Sequence, residues 1–189
     1  MIVINLFGGP GCGKSTTAAW LFSELKRRNL SCEYVTEFAK DLTWEENKKA
    51  LGCQEYVFGN QSWMLNRLKD KVDVVITDSP LPLSIIYNHD RLPTEPFTKL
   101  VLSVFDSYDN VNIFLKRPMN YEQTGRNENQ IEAETIDRMV FDMLLHNDMQ
   151  AQWINVDSET FREDLLEFVL NTILKSQIEV EHETNNRIK

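Results

Sequence analysis

The feature that most constrains the fold of this chain is a glycine-rich segment close to its start. Residues 8–15 read Gly-Gly-Pro-Gly-Cys-Gly-Lys-Ser and fit the pattern G-x-x-x-x-G-K-[ST]. An apolar run at 2–7 precedes them and an amphipathic stretch follows, so the segment lies between a predicted strand and a predicted helix. Glycine lets backbone N–H groups approach a phosphate closely, and the next helix has an electropositive N-terminus. The sequence therefore predicts a phosphate loop, residues 8–15, that binds a nucleoside triphosphate.

Each position of the phosphate loop has an expected role. Lys14 reaches the outer phosphates as a point charge, and Ser15 holds the Mg²⁺ that bridges them. Cys12 lies just before a helix N-terminus, a place that favours a thiolate; the alternative is that Cys12 is only a small residue that fits the loop. The nucleotide-binding residues that we predict are Gly8, Gly9, Pro10, Gly11, Cys12, Gly13, Lys14, Ser15, Thr16 and Arg117.

Length and charge exclude several classes of protein. The 189 residues suit one domain with a small lid, and no apolar stretch is long enough to span a membrane. The net charge of -9 and the pI of about 4.9 disfavour a nucleic acid partner without excluding a local basic groove. The three cysteines lack the spacing of metal ligands and predict reduced thiols in a cytoplasmic protein.

Apolar strands alternate with amphipathic helices along the chain, which predicts an α/β fold with a parallel sheet covered by helices. Thr43 and Glu46 have the spacing of a capping box, so we expect a short helix to start at Trp44. The domain is expected over 1–175, followed by a polar and poorly ordered tail at 176–189. The predicted strands are 2–7, 31–36, 72–77, 111–116 and 152–156, and the predicted helices include 14–28, 54–69 and 130–146.

Two carboxylates follow predicted strands, where ligands bind in open parallel sheets. Asp78 ends the strand at 72–77 and is expected to hold Mg²⁺ or to orient a substrate hydroxyl; the alternative is a turn cap, since Asp-Ser-Pro also favours turns. Glu37 ends the second strand and is expected to accept a proton from an attacking hydroxyl, or to orient it. The alternative for Glu37 is a solvated charge paired with Lys40.

Further polar residues are weaker candidates for the site. Gln61 lies on the apolar stripe of a predicted helix, so its amide needs a partner, either a nucleobase edge or nearby backbone. Lys40 is a candidate cation for the substrate. Arg117 and Arg126 bracket a polar segment, about 117–130, that we expect to act as a lid bringing positive charge to the migrating phosphoryl group.

The phosphate loop, the Thr-Glu-Phe-Ala-Lys stretch at 36–40, the Thr-Asp-Ser-Pro stretch at 77–80 and the segment at 121–126 together resemble P-loop nucleoside and nucleotide kinases. The likeness is greatest to thymidylate-kinase-like proteins encoded by bacteriophages, a group that includes kinases of 5-hydroxymethyluracil in phage DNA. This resemblance implies a five-stranded sheet of order 2-3-1-4-5 with a lid after the fourth strand. It also implies ATP and Mg²⁺ as cofactors, Lys14, Glu37, Asp78 and Arg126 as catalytic residues, and the host cytoplasm if the chain is phage-encoded.

One departure from the resemblance concerns the acceptor. Thymidylate kinases usually follow the carboxylate of the third strand with an arginine that binds the acceptor's phosphate, whereas Ser79 and Pro80 follow Asp78 here. We therefore expect ATP-dependent transfer of the γ-phosphate to a hydroxyl of a nucleoside-like acceptor, either free or as a 5-hydroxymethyluracil-type base in DNA. The alternatives are a nucleoside monophosphate kinase and a regulatory NTPase without a small acceptor. A second copy of the chain is a further candidate partner.

Overall fold

A computed structural model describes residues 1–88, 92, 94–118 and 129–187 of the chain, the last nine of these by their backbone alone. The strands in this part of the chain are β1 (Ile2–Phe7), β2 (Cys32–Val35), β3 (Val74–Thr77), β4 (Asp109–Lys116) and β5 (Gln152–Asn155). The helices are α1 (Lys14–Arg27), α2 (Phe38–Trp44), α3 (Lys48–Leu51), α4 (Gln54–Asn66), α5 (Leu83–Ile86), α6 (Thr94–Phe105), α7 (Gln130–His146) and α8 (Phe161–Arg187).

The strands form one parallel sheet of order β2-β3-β1-β4-β5, which confirms the predicted fold class and strand order. All residues of the central strand β1 are buried, because the sheet is covered on both faces. Val3 and Phe7 belong to a core cluster with residues of α4, α6 and α7. On α1, which packs on β1, β2 and β3, the buried apolar residues are Ala18, Leu21 and Leu25.

The strand order determines where a ligand site lies. β1 leads through α1 to β2 at one side, whereas its neighbour β3 leads to β4 on the other side. A crevice forms at the carboxyl ends of two neighbouring strands whose connections leave in opposite directions. The phosphate loop follows β1 and Asp78 follows β3, so both lie at this crevice.

Most predicted elements are present, and one prediction is wrong. The helix predicted at 130–146 is α7, which Asn129 and Glu132 begin with a reciprocal capping box. No helix starts at Trp44, which is instead the last residue of α2. Thr43 lies inside α2, where its hydroxyl donates to the carbonyl of Ala39 (3.0 Å) instead of capping a helix start.

The chain divides after Val156 into two compact units, the second of which contains α8. The backbone of α8 continues as a helix through the polar segment that begins at Ser176 and ends at Arg187. Within the described ranges, no helix has the length and apolar composition needed to cross a membrane. The boundaries of the predicted domain and lid stay predictions, because most of the lid segment lies outside the described residues.

Candidate active site

The phosphate loop joins β1 to α1 with backbone geometry that glycine permits. Gly13, the N-cap of α1, has φ of 87°, in the left-handed region where a Cβ would be strained. No side chain of the described residues caps α1, and its first turn contains no acidic residue. The first N–H groups of α1 are therefore left for another acceptor, and a helix N-terminus with this character binds phosphate well.

Lys14 folds back over the phosphate loop. Its Nζ donates hydrogen bonds to the carbonyl oxygens of Gly8 (2.8 Å) and Gly9 (2.9 Å). This places the ammonium group at the loop, as expected for a residue that binds outer phosphates. Ser15 and Thr16 follow in the first turn of α1, and Thr16 is exposed. The catalytic role of Lys14 stays a prediction.

An ion pair between Arg117 and Asp137 supports the phosphate loop through hydrogen bonds to the loop's backbone. Asp137 of α7 accepts from the Gly9 N–H (2.6 Å) through Oδ1 and from Arg117 Nε (2.6 Å) through Oδ2. Arg117 follows β4 and also donates to the carbonyls of Pro10 (2.6 Å) and Ala133 (3.1 Å). Since these bonds engage all the guanidinium nitrogens of Arg117, the residue braces the loop. The direct contact of Arg117 with a nucleotide stays a prediction.

The close approach of α7 also explains why residue 9 is glycine. A Cβ built on Gly9 would stand 2.7 Å from the Ala133 carbonyl oxygen and 2.7 Å from Asp137 Oδ1. Both distances are shorter than a non-bonded carbon–oxygen contact allows. Asp137 was not found from the sequence, because it is one of several acidic residues on a helix that lies 128 positions from Gly9.

Asp78 lies at the end of β3 with its side chain almost completely buried (2% exposed). Its Oδ2 accepts a hydrogen bond from the Tyr34 hydroxyl (2.8 Å), while its Oδ1 has no hydrogen-bond partner among the described residues. A buried carboxylate oxygen is costly to leave unpaired, so its presence at a crevice indicates a ligand. The turn-cap alternative is not what Asp78 does here, because among the described residues its side chain accepts a hydrogen bond from Tyr34 on β2 and not from the turn that follows.

Tyr34 is the hydrogen-bond partner of Asp78, and it was not predicted from the sequence. Burial, followed by the negative charge of Asp78, raises the pKa of Tyr34 far above its usual range, so the phenol stays a donor. The nearby Ser15 hydroxyl opposes this rise in the pKa of Tyr34. Tyr34 pairs with Ile76 across the sheet, and Asp78 lies two residues further on the same face. That register could not be read from the sequence of β2 alone.

Glu37 lies at the N-cap of α2, immediately beyond β2, and is half-buried. Its charge is close enough to Tyr34 to raise the pKa of the phenol further. Gln61 of α4 holds this turn: its Oε1 accepts from the Phe38 N–H (2.9 Å) and its Nε2 donates to the Thr36 carbonyl (3.1 Å). The structure thus brings Ser15, Asp78 and Glu37 together around Tyr34.

The other predicted residues have different positions. The Gln61 amide is hydrogen-bonded to backbone groups, which was one of the two partners predicted for it. Its contact with a nucleobase, the other predicted partner, stays a prediction. Lys40 is exposed on α2, and Arg126 lies outside the described residues. The expectation that Cys12 favours a thiolate is wrong, because burial raises the pKa of its thiol and outweighs the opposing effect of Lys14.

Ser15 and Asp78 fit the chemistry of a Mg²⁺ site. Mg²⁺ takes oxygen ligands, keeps several waters, and is usually held by one or two protein groups together with substrate phosphates. The unpaired, buried Oδ1 of Asp78 is such an oxygen, and the Ser15 hydroxyl is the other. The residues present therefore suit the ion that both were predicted to hold.

The sheet order, the phosphate loop after β1 and the carboxylate after β3 define the fold class of the P-loop kinases. The family model described as AAA domain (AAA_28) matches residues 3–163, and the chain belongs to this family. No curated protein matches the chain in a sequence comparison.

Solved structures with this fold include nucleoside and nucleotide kinases. Deoxyadenosine kinase from M. mycoides with bound dATP is similar at a TM-score of 0.57 and 19% identity, over 90% of this chain and 98% of that one. The same kinase with dCMP and dCDP bound gives 0.54 and 18%, over 92% and 99%. Thymidylate kinase from Ehrlichia chaffeensis gives 0.57 and 15%, over 92% and 98%. At sequence identities this low, the structural similarity shows a shared fold and nothing more.

Proposed function

We propose that this protein is an ATP- and Mg²⁺-dependent kinase that transfers the γ-phosphate to a hydroxyl of a nucleoside-like acceptor. The observation that carries the proposal is the cluster of Ser15, Asp78 and Glu37 around Tyr34, next to the phosphate loop. It combines groups for a triphosphate and its cation with a second carboxylate in the same crevice. Folds similar to those of deoxyadenosine kinase and thymidylate kinase support the proposal.

The residues of the crevice have complementary parts in this reaction. The first N–H groups of α1 and the Lys14 ammonium bind the phosphates of ATP, and Ser15 and Asp78 hold Mg²⁺, which neutralises phosphate charge when bound. The acceptor oxygen forms a bond to the γ-phosphorus as the bond to the β–γ bridging oxygen breaks, and ADP leaves with that electron pair. Glu37 takes the hydroxyl proton, or orients the hydroxyl through a hydrogen bond. Arg126 adds positive charge from the lid segment.

The acceptor is proposed from the charges beside Asp78. Ser79 and Pro80 stand where the thymidylate kinases that the chain resembles carry an arginine for the acceptor's phosphate. Two carboxylates suit a hydroxyl, which must lose a proton, better than a phosphate, which would be repelled. The hydroxyl belongs to a free nucleoside or to a 5-hydroxymethyluracil-type base in phage DNA; the net charge of -9 makes DNA the less favoured of the two.

A nucleoside monophosphate kinase is the second candidate, which the similarity to thymidylate kinase favours. ATP labelled at the γ-phosphate separates the candidates when it is offered with nucleosides, with nucleoside monophosphates, and with hydroxymethylated duplex DNA at low salt. We expect label on a nucleoside-type hydroxyl; label on monophosphates alone would refute that acceptor. Release of free phosphate without a labelled acceptor would indicate a regulatory NTPase instead. Lys14→Ala is the negative control and should transfer no label.

The proposal also includes a cellular location and an oligomeric state. We place it in the cytoplasm, which is the host cytoplasm if the chain is phage-encoded, with a homodimer as the oligomer to test. Sedimentation of the purified protein, with and without nucleotide, measures the oligomer directly.

A further inference from the structure

One peptide unit of the phosphate loop is held by side chains at both of its ends. The Gly8–Gly9 peptide directs its N–H at Asp137 Oδ1 (2.6 Å), and its carbonyl oxygen accepts from Lys14 Nζ (2.8 Å). The N–H and the C=O of a trans peptide lie in one plane and point in opposite directions. The direction of the N–H toward Asp137 therefore determines the direction of the carbonyl toward Lys14.

The two residues of this peptide do not determine its direction by themselves. Rotation of a peptide plane changes ψ of the residue before it and φ of the residue after it. Both residues here are glycines, which lack the Cβ that restricts these angles. A Cβ is excluded at Gly8, where it would stand 2.6 Å from Cys12 Sγ, and at Gly9 for the reason given above. The loop thus needs glycines for its packing, and a hydrogen bond for the direction of this peptide.

Arg117 keeps the carboxylate of Asp137 in place for that hydrogen bond. Its Nε donates to Oδ2 (2.6 Å), which leaves Oδ1 for the Gly9 N–H. The guanidinium group also donates to the carbonyl of Pro10 (2.6 Å), so the ion pair contacts the loop backbone at two points. The positive charge of Arg117 offsets a carboxylate that would otherwise repel a bound phosphate.

We propose that Asp137 is a positioning residue for Lys14, and that it acts through the direction of this peptide. The ammonium group of Lys14 is bound to the carbonyls of Gly8 and Gly9, 2.8 and 2.9 Å away. Reversal of the peptide would turn the Gly8 carbonyl away from the ammonium group and present an N–H, which repels a cation. This inference rests on the proposed function for its nucleotide. It adds a residue that affects phosphate binding without contacting the phosphate.

The size of the effect follows from the fraction of molecules in which the peptide keeps its direction. Without Asp137 the buried Gly9 N–H loses its acceptor, and an unsatisfied N–H shifts an equilibrium by a factor of about 5 to 150. The two hydrogen bonds of Lys14 oppose the reversal, so we expect roughly one molecule in ten to keep the direction. Affinity falls in proportion to the competent fraction, so ADP should bind about tenfold more weakly.

The test is the binding of ADP in EDTA, measured by isothermal titration calorimetry on the pair variant Asp137→Leu/Arg117→Met. This variant removes both charges together, so no buried charge is left unpaired. We expect ADP to bind about tenfold more weakly, and an unchanged affinity would overturn the inference. The matched control is Asp142→Leu on α7, because Asp142 is exposed and its side chain has no hydrogen bond to a described residue. It should bind ADP like the wild type, and a loss equal to that of the pair variant would overturn the inference.

A double-mutant cycle tests whether the ion pair acts through Lys14. In the Lys14→Ala background no ammonium group remains to be positioned, so the pair variant should weaken ADP binding by less than about twofold. A role in the stability of the loop alone would not depend on Lys14. An equal loss in both backgrounds would therefore overturn the inference, and would favour direct contact of Arg117 with a phosphate.

A measurement on the wild type covers the case in which the pair variant does not fold. Protein labelled with ¹⁵N and ¹³C should show a scalar coupling across the hydrogen bond between the Gly9 amide nitrogen and the Asp137 carboxyl carbon. We expect this coupling both without nucleotide and with ADP bound. Its absence from the ADP complex would overturn the inference, because the peptide would then have another direction when the phosphates are bound.

The outcomes separate the role of Asp137 from the proposed function. A wild type that binds ADP, with the expected loss in the pair variant, but that labels no acceptor would refute the proposed kinase and leave the role of Asp137 standing. A wild type that labels its acceptor, with unchanged ADP binding in the pair variant, would overturn the inference alone.

Discussion

Replacing Asp137 by Asn should destabilise the protein much more than the loss of a surface charge does. Asp137 accepts from the Gly9 N–H and from Arg117 Nε, both at 2.6 Å, and the paired side chains of Asp137 and Arg117 are only 18% and 12% exposed. Asparagine keeps an oxygen that can accept from one of these donors, but its NH₂ group, which is itself a donor, then faces the other. The asparagine side chain also carries no negative charge. Arg117 would then be a nearly buried cation without its counter-ion.

The size of the effect follows from that burial. Breaking a fully buried ion pair costs about 3–5 kcal/mol, whereas an exposed pair contributes about 0–1 kcal/mol. Arg117 keeps its bonds to the carbonyls of Pro10 and Ala133, and both side chains have some contact with water. We therefore expect a loss of about 3 kcal/mol, which corresponds to a melting temperature lower by roughly 6–12 °C for a chain of this length.

Urea unfolding and thermal melting of the nucleotide-free protein measure this loss, and an ADP titration shows whether the phosphate loop is disturbed. Asp142→Asn on the same helix is the matched control, because Asp142 is exposed and its side chain has no hydrogen bond to a described residue. It should change the free energy of unfolding by less than about 0.5 kcal/mol. If Asp137→Asn proved as mild as this control, the argument from burial would be refuted.

Three other predictions concern the two ends of the crevice. Glu37→Gln should lower kcat more than it weakens ATP binding. A loss confined to ATP affinity would show that Glu37 contacts ATP and not the acceptor. Gln61→Met leaves the Phe38 N–H and the Thr36 carbonyl without their partner, so steady-state kinetics should show a raised acceptor KM at unchanged ADP affinity. Burial raises the pKa of the Cys12 thiol above its ordinary value of 9.0, so the folded state binds the proton more tightly than the unfolded state. The resulting stability is complete below pH 9.0 and declines above it, and urea midpoints measured between neutral and alkaline pH should fall less steeply in Cys12→Ala.

The sheet and most of its helices could be predicted because their signals are local. A buried parallel strand is an apolar run, as in 2–7, and α7 starts at a capping box and carries an apolar stripe. The helix expected at Trp44 shows where local signals fail. Thr43 and Glu46 have the spacing of a cap, but α2 had already started at Phe38 and includes Thr43. A capping pattern does not reveal whether its first residue lies outside a helix or within one.

The residues of the candidate site likewise fall into those that local sequence signals predict and those that they do not. The phosphate loop, Glu37 and Asp78 could be proposed because each follows a predicted strand, and ligands of open parallel sheets bind at that edge. Tyr34 and Asp137 could not, since each acts on a residue far along the chain: Asp78 lies 44 positions from Tyr34, and Gly9 lies 128 positions from Asp137. Gln61 was recognised as a buried amide, but its backbone partners became known only with the packing of α4 against the turn after β2.

The sequence by itself determined that this chain has a phosphate loop, because the loop's conformation depends on glycines, a lysine and a serine within eight consecutive positions. Only the tertiary structure decided how the loop is supported and what faces it. The pairing of β2 with β3 brings Tyr34 beside Asp78, and the packing of α7 brings Asp137 to Gly9. Strand register and helix packing depend on the whole core, so they determine which of many polar residues become neighbours.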